Sequence, residues 1–124
     1  MNVVDSSAWL SYFADEHNAG AFARPIADFE NLLVPSITLT EVFKTVVRQR
    51  DAHAAAEVIA QMKRGHVISL DESLAVEAAE CGLQLRLPLA DSIIYATARK
   101  FDALVWTQDA DFEDLPDVRF FARR

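Results

Sequence analysis

The sequence predicts an α/β protein, a three-layer α/β/α sandwich around a short parallel sheet. Three observations carry that reading. The extended runs are short and continuously apolar, as in Ala103-Leu104-Val105-Trp106-Thr107. Strands of that kind are covered on both faces, as in parallel sheets. The runs are separated by helical stretches, the order that builds strand–helix–strand units. Finally, 124 residues, 52% hydrophobic and 25% charged, form one ordinary globular domain that buries roughly two thirds of its unfolded surface.

Met1-Asn2-Val3-Val4 suits a buried strand, which Asp5 ends. Ser6 to Glu16 is helical, with Trp9, Leu10 and Phe13 on one face. Ala19 to Leu33 is a second helix, with Pro25 as an early-turn residue. Leu33-Val34 is a short strand ended by Pro35. From Thr38 to Arg50 the pattern is helical, with Leu39, Val42, Phe43, Val46 and Val47 on one face. Asp51 caps the next helix, which runs to Arg64 and stops at Lys63-Arg64-Gly65. His66 to Leu70 is a strand, and Asp71 caps a helix to about Arg86. Pro88 breaks the chain before a helix from Ala90 to Phe101. Ala103 to Thr107 is the clearest strand, and Val118 to Phe121 is the last. Three glycines and four prolines, well spread, leave no linker or repeat, so residues 1–124 read as a single domain.

Composition excludes several functions. The one cysteine, Cys81, allows neither an intrachain disulfide nor a paired-cysteine zinc site, and it reads as a small core residue in a reducing cytoplasm. No run approaches the roughly 20 apolar residues of a spanning helix, and no basic segment opens the chain, so no membrane partner is expected. Nineteen acids against twelve bases, a net charge of -7, exclude a uniformly basic nucleic-acid clamp. They leave room for a nuclease whose carboxylates hold a metal ion.

Sites in such sheets lie beyond the carboxyl ends of the strands. Asp5 follows the first strand, and Asp109 and Asp111 follow the strand ending at Thr107. Asp91 opens a helix after Arg86-Leu87-Pro88, and Glu41 sits in the first turn of another. Singly, each acid has an ordinary structural role. Asp91 fits a helix cap. Thr38-Leu39-Thr40-Glu41 fits a capping box, with Glu41 opposite the apolar helix face. Asp109 and Asp111 fit a turn. Asp5, ending a buried strand, needs a partner, a helix N-terminus or a cation.

Jointly the acids are more specific. Asp5-Ser6-Ser7-Ala8-Trp9, Thr40-Glu41-Val42-Phe43, Leu89-Ala90-Asp91-Ser92-Ile93-Ile94-Tyr95-Ala96 and Thr107-Gln108-Asp109-Ala110-Asp111-Phe112 follow one another in this order. In these segments the chain resembles the PIN-domain ribonucleases, most closely the VapC-type toxins of bacterial toxin–antitoxin pairs. The resemblance implies a PIN-like fold and an endoribonuclease dependent on Mg²⁺ or Mn²⁺, hydrolysing RNA phosphodiesters with a water activated by the ion. It makes Asp5, Glu41, Asp91 and Asp109 an acidic quartet. Asp5, Asp91 and Asp109 would ligate the metal, and Glu41 would hold a water or a second ion. Asp111 accompanies Asp109, and either of them faces the ion. Ser6 or Ser7 and Thr107 would supply supporting hydroxyls. The implied partners are an RNA substrate, a cognate antitoxin and a second copy in a homodimer.

The residue types suit that chemistry. Converging carboxylates repel and raise one another's pKa until a cation neutralises them, and hard oxygen ligands favour Mg²⁺ or Mn²⁺. Lys44, Arg48 and Arg50, near Glu41 on its helix, are either phosphate contacts or a solvated helix face. His17, His53 and His66 lack metal spacing, no Gly-x-Ser-x-Gly surrounds Ser6, Ser7 or Ser92, and no glycine-rich phosphate loop exists. Trp9, Phe43 and Trp106 read as core residues. Two rivals remain. A receiver-like phosphoacceptor would need an aspartate pair after the first strand and a lysine after the last core strand, and the chain has neither. A catalytically silent PIN-like interaction module would not need the quartet.

Overall fold

In a computed structural model describing residues 1–124, five short strands lie parallel in one sheet. They are β1 (Asn2–Val4), β2 (Leu32–Pro35), β3 (His66–Ile68), β4 (Leu104–Thr107) and β5 (Val118–Phe120), in the order β3-β2-β1-β4-β5. Val3 pairs with Leu33 on one side and Val105 on the other. Six helices connect the strands: α1 (Ser6–Phe13), α2 (Ala19–Ala27), α3 (Ser36–Gln49), α4 (Ala52–Met62), α5 (Glu72–Leu85) and α6 (Leu89–Lys100).

The expected three layers form, and the continuous apolar runs explain them. Neighbouring strand residues point to opposite faces. Val3 enters a cluster with Leu74, Ala78, Ile94 and Phe112, under α5 and α6. Val4 enters a second cluster with Trp9, Phe22, Val42 and Met62, under α1 to α4. Both valines are fully buried, so neither face could carry a polar residue. The chain moves outward from β1 to β2 and β3, then crosses back to β4 on the other side. β1 and β4 therefore flank the point where the strand order reverses, the crevice where open α/β sheets bind ligands.

Several boundaries differ from expectation. α1 ends at Phe13 rather than Glu16, because Asp15 takes the left-handed conformation (φ 53°). α2 stops at Ala27, followed by a 3₁₀ turn at Phe29–Asn31. Pro25 lies near its end, not its start, and its ring crowds the carbonyl one turn back. α3 begins at Ser36, so Thr38 is already helical; its buried hydroxyl donates to the Pro35 carbonyl (2.7 Å) and there is no capping box. Asp91 is the third residue of α6, whose start at Pro88 has no side-chain cap, so the cap reading of Asp91 fails too. Phe43 is 43% exposed and not a core residue, because α3 buries only a narrow stripe at Thr38, Val42 and Val46. Asp51 and Asp71 cap as expected, accepting from Ala54 N (2.7 Å) and Leu74 N (2.9 Å). Cys81 and Trp9 are buried. No helix is long and apolar enough to cross a membrane.

Candidate metal centre

The sheet delivers Asp5 to the crevice at the end of β1. Its Oδ1 accepts from the Ala8 amide (2.9 Å) and the Ser7 hydroxyl (2.8 Å), capping α1. Its Oδ2 accepts from the Thr107 hydroxyl (2.7 Å) at the end of β4. Asp5 is 2% exposed. Burial pushes its carboxyl up to about 6; the bonds from Thr107, Ala8 and Ser7 pull the other way, and the charge of Asp109 adds to the rise. The buried strand end thus found both a helix N-terminus and hydroxyl partners.

Thr107 links the two strand exits. Its hydroxyl also accepts from the Asp109 amide (2.9 Å), fixing the turn in which Asp109 Oδ1 takes the Asp111 amide (2.9 Å). Asp109 is therefore a turn residue, and that turn aims it and Asp111 at Asp91. One carboxylate oxygen from each of Asp91, Asp109 and Asp111 lies within 4.8 Å of the others. Desolvation at the start of α6 raises the Asp91 carboxyl, and the charges of Asp109, Asp5 and Asp111 raise it further, to about 8. A hydrogen bond with Asp111 favours its protonated form.

Glu41 comes from the second turn of α3, and its Oε1 accepts from the Ser6 hydroxyl (2.6 Å). Asp5, Glu41, Asp91 and Asp109 all line one cavity of about 360 Å³, together with Ser6 and Ser7. The fold thus brings the four predicted acids and their hydroxyl neighbours to one place. The tightest group contains Asp111 and not Asp5, whose oxygens accept from Ser7, Ala8 and Thr107 and keep further acceptor capacity. Lys44, Arg48 and Arg50 are exposed and line no part of the cavity. The α3 stripe facing it is Glu41, Thr45 and Gln49, and Lys44 and Arg48 lie one residue, or about 100°, around the helix from it. Sequence reasoning missed Glu16, Gln108 and Arg123, which also line the cavity. Of these only Gln108, between two predicted site residues, carried a signal.

The residues fit a hard divalent cation. Every candidate donor is a carboxylate or hydroxyl oxygen, with no histidine or cysteine among them, a set suited to Mg²⁺ or Mn²⁺. Burial raises both carboxyls first, and the neighbouring acids add to the rise, most of all at Asp91; a bound cation would offset both.

A pH dependence follows for the metal-free protein. Unfolded, both aspartates titrate near 3.8; folded, they titrate near 6 and 8. Between those values the folded state holds more protons, so stability falls as pH rises. It is fully present below about 4 and is lost as pH rises through 6 and then 8. The loss is on the order of a few kcal/mol, with the partly exposed Asp91 contributing less than its shift suggests. Urea denaturation in EDTA should give a lower midpoint at about pH 8.5 than at about pH 5. An equal or higher midpoint at alkaline pH would contradict these surroundings for the two acids.

Comparison with known proteins gives a consistent picture. The family described as PIN domain matches residues 3–118. No curated protein matches the sequence. Among solved structures, a toxin–antitoxin complex from Klebsiella pneumoniae is similar with a TM-score of 0.82 at 18% identity, covering 98% of this chain and 99% of that one. VapC20 of Mycobacterium tuberculosis, a toxin that cleaves the sarcin–ricin loop, is similar with a TM-score of 0.77 at 20% identity, covering 95% and 97%. DNA-bound VapBC from Salmonella typhimurium gives 0.75 at 17% identity, covering 98% and 96%.

Proposed function

The chain belongs to the PIN-domain family, and on that premise we propose that it is a divalent-metal-dependent endoribonuclease and the toxin of a toxin–antitoxin pair. One observation carries the reading: Asp5, Glu41, Asp91 and Asp109 converge on one cavity at the β1/β4 crevice. In it, Asp91 and Asp109 would hold Mg²⁺ or Mn²⁺ with Asp5, and Asp111, beside Asp109, would serve as a further ligand. The ion, when bound, acts as a Lewis acid toward the phosphate and makes water more acidic.

The remaining work falls to the protein. Asp5, fixed by Ser7, Ala8 and Thr107, sets one wall of the site. Glu41 gives one oxygen to Ser6, and its other oxygen holds the attacking water and accepts a proton from it. The water oxygen adds to phosphorus, the bond to the leaving sugar oxygen breaks, and that oxygen takes a proton from solvent. The protein acts in the cytoplasm, as a homodimer. Its cognate antitoxin inhibits by placing a basic side chain among the acids. The similarity to a toxin–antitoxin complex and to a toxin that cleaves the sarcin–ricin loop supports this role.

Purified protein should cleave structured RNA in Mg²⁺ or Mn²⁺ and stop when EDTA is added. Cleavage that persists in excess EDTA, in a preparation free of other nucleases, would overturn the metal-dependent reading.

A further inference from the structure

The acidic cavity has one cation in its lining, Arg123. The same residue lines a second cavity of about 330 Å³ beside it, with Glu16, His17, Asn18, Gln108 and Arg124. Glu16, Gln108 and Arg123 belong to both, so Arg123 stands where the two meet. None of the lining residues of the second cavity is apolar.

The arginine is placed by construction. After β5 the Phe121 amide donates to the Thr107 carbonyl (2.9 Å). The Phe121 ring stacks on Trp106 (5.9 Å) and meets Phe22 edge-on (5.5 Å). Asn18, 9% exposed, uses its amide group to hold the Phe121 carbonyl (3.3 Å), the Ala122 carbonyl (3.0 Å) and Gln108 Oε1 (3.2 Å). The chain end is therefore tied beside the β4 exit. The one ion pair within 4.0 Å in the protein joins His53 and Glu57, so no carboxylate of the cavity takes up the guanidinium.

We propose that Arg123 binds a phosphate of the substrate RNA where the strand passes from the acidic cavity into the polar groove lined by His17 and Arg124. The inference rests on the nuclease reading. A cavity rich in carboxylates repels a polyanion, and a guanidinium at its rim supplies planar, bidentate phosphate recognition where the strand must lie. A groove without apolar lining suits a sugar–phosphate backbone better than a stacked base.

The test pairs binding with cleavage for wild type, Arg123→Gln and Arg123→Lys. Binding of a short single-stranded RNA, with Ca²⁺ in place of Mg²⁺, is measured against salt. Arg123→Gln should bind about tenfold or more weakly, and its slope of log affinity on log salt should be shallower by about 0.7, the value of one single-strand phosphate contact. In Mg²⁺ its KM should rise more than its kcat falls. Arg123→Lys should recover the slope and part of the affinity, since it keeps the charge and loses the fork. Both variants should still bind Mn²⁺ saturably, no more weakly than wild type, and melt at the wild-type temperature. Unchanged RNA affinity and slope in Arg123→Gln would overturn the proposal, as would a wild type that binds no RNA. A wild type that binds RNA and never cleaves it counts against the nuclease reading alone, because the binding arm needs no turnover.

Discussion

Glu41→Gln is expected to leave the fold intact and cut RNA cleavage by about a hundredfold or more, the scale of losing a proton-transfer or electrostatic group. The structure makes this substitution clean. Glu41 caps nothing, and its one hydrogen bond is accepted from Ser6 at Oε1, a bond that a glutamine carbonyl oxygen accepts equally well. What glutamine cannot do is hold a negative charge or take a proton from water. Single-turnover cleavage and a thermal melt on the same preparation separate the cases. A mutant melting like wild type with its activity lost supports Glu41 as a catalytic group. A mutant as active as wild type removes Glu41 from the site and leaves the three aspartates.

Asp91→Asn should act on stability in opposite directions with and without metal. Metal-free wild type carries Asp91 protonated up to about pH 8, so asparagine changes little at neutral pH. Above that value the wild-type carboxylate must ionise against Asp109, Asp5 and Asp111, and the asparagine variant should become the more stable of the two. With saturating Mg²⁺ the order reverses, because the variant loses a charged ligand and with it the stabilisation that binding gives. Cleavage should fall by at least as much as for Glu41→Gln. Melting shifts on adding Mg²⁺ that are the same in both proteins would show that Asp91 does not touch the ion.

The sequence revealed most where a single strand carried the message. Val3 and Val4 are buried on opposite faces, so the run had to be apolar, and an acid straight after it had to be special. The same logic exposed Asp109 and Asp111 just after β4, which ends at Thr107. Taken locally, Thr38-Leu39-Thr40-Glu41 satisfies a capping pattern that α3 does not use, and only the order of the four acidic segments points Glu41 to the site. Pro35 does not break the chain there: it ends β2, and α3 starts at the next residue. The partner of Glu41, Ser6, lies 35 residues earlier, beyond any local pattern. Phe43, expected in the core, is exposed because periodicity shows which side of a helix is apolar, not how much of that side the sheet can cover. Arg123 carried no signal at all. Its position depends on the side chain of Asn18, more than 100 residues earlier, holding two backbone carbonyls, a contact that only the folded chain creates.

The most direct test of the central claim is a calorimetric titration of Mn²⁺ into the wild-type protein at about pH 6.5 and about pH 8.5. Ligands must be deprotonated to bind a metal, so the ion must displace the proton that Asp91 holds below about pH 8. The expected result is saturable binding that tightens strongly toward the higher pH, with proton release at the lower one, and that is lost in Asp91→Asn. No saturable binding at either pH, or binding indifferent to both pH and Asp91→Asn, would contradict a metal centre built on these carboxylates.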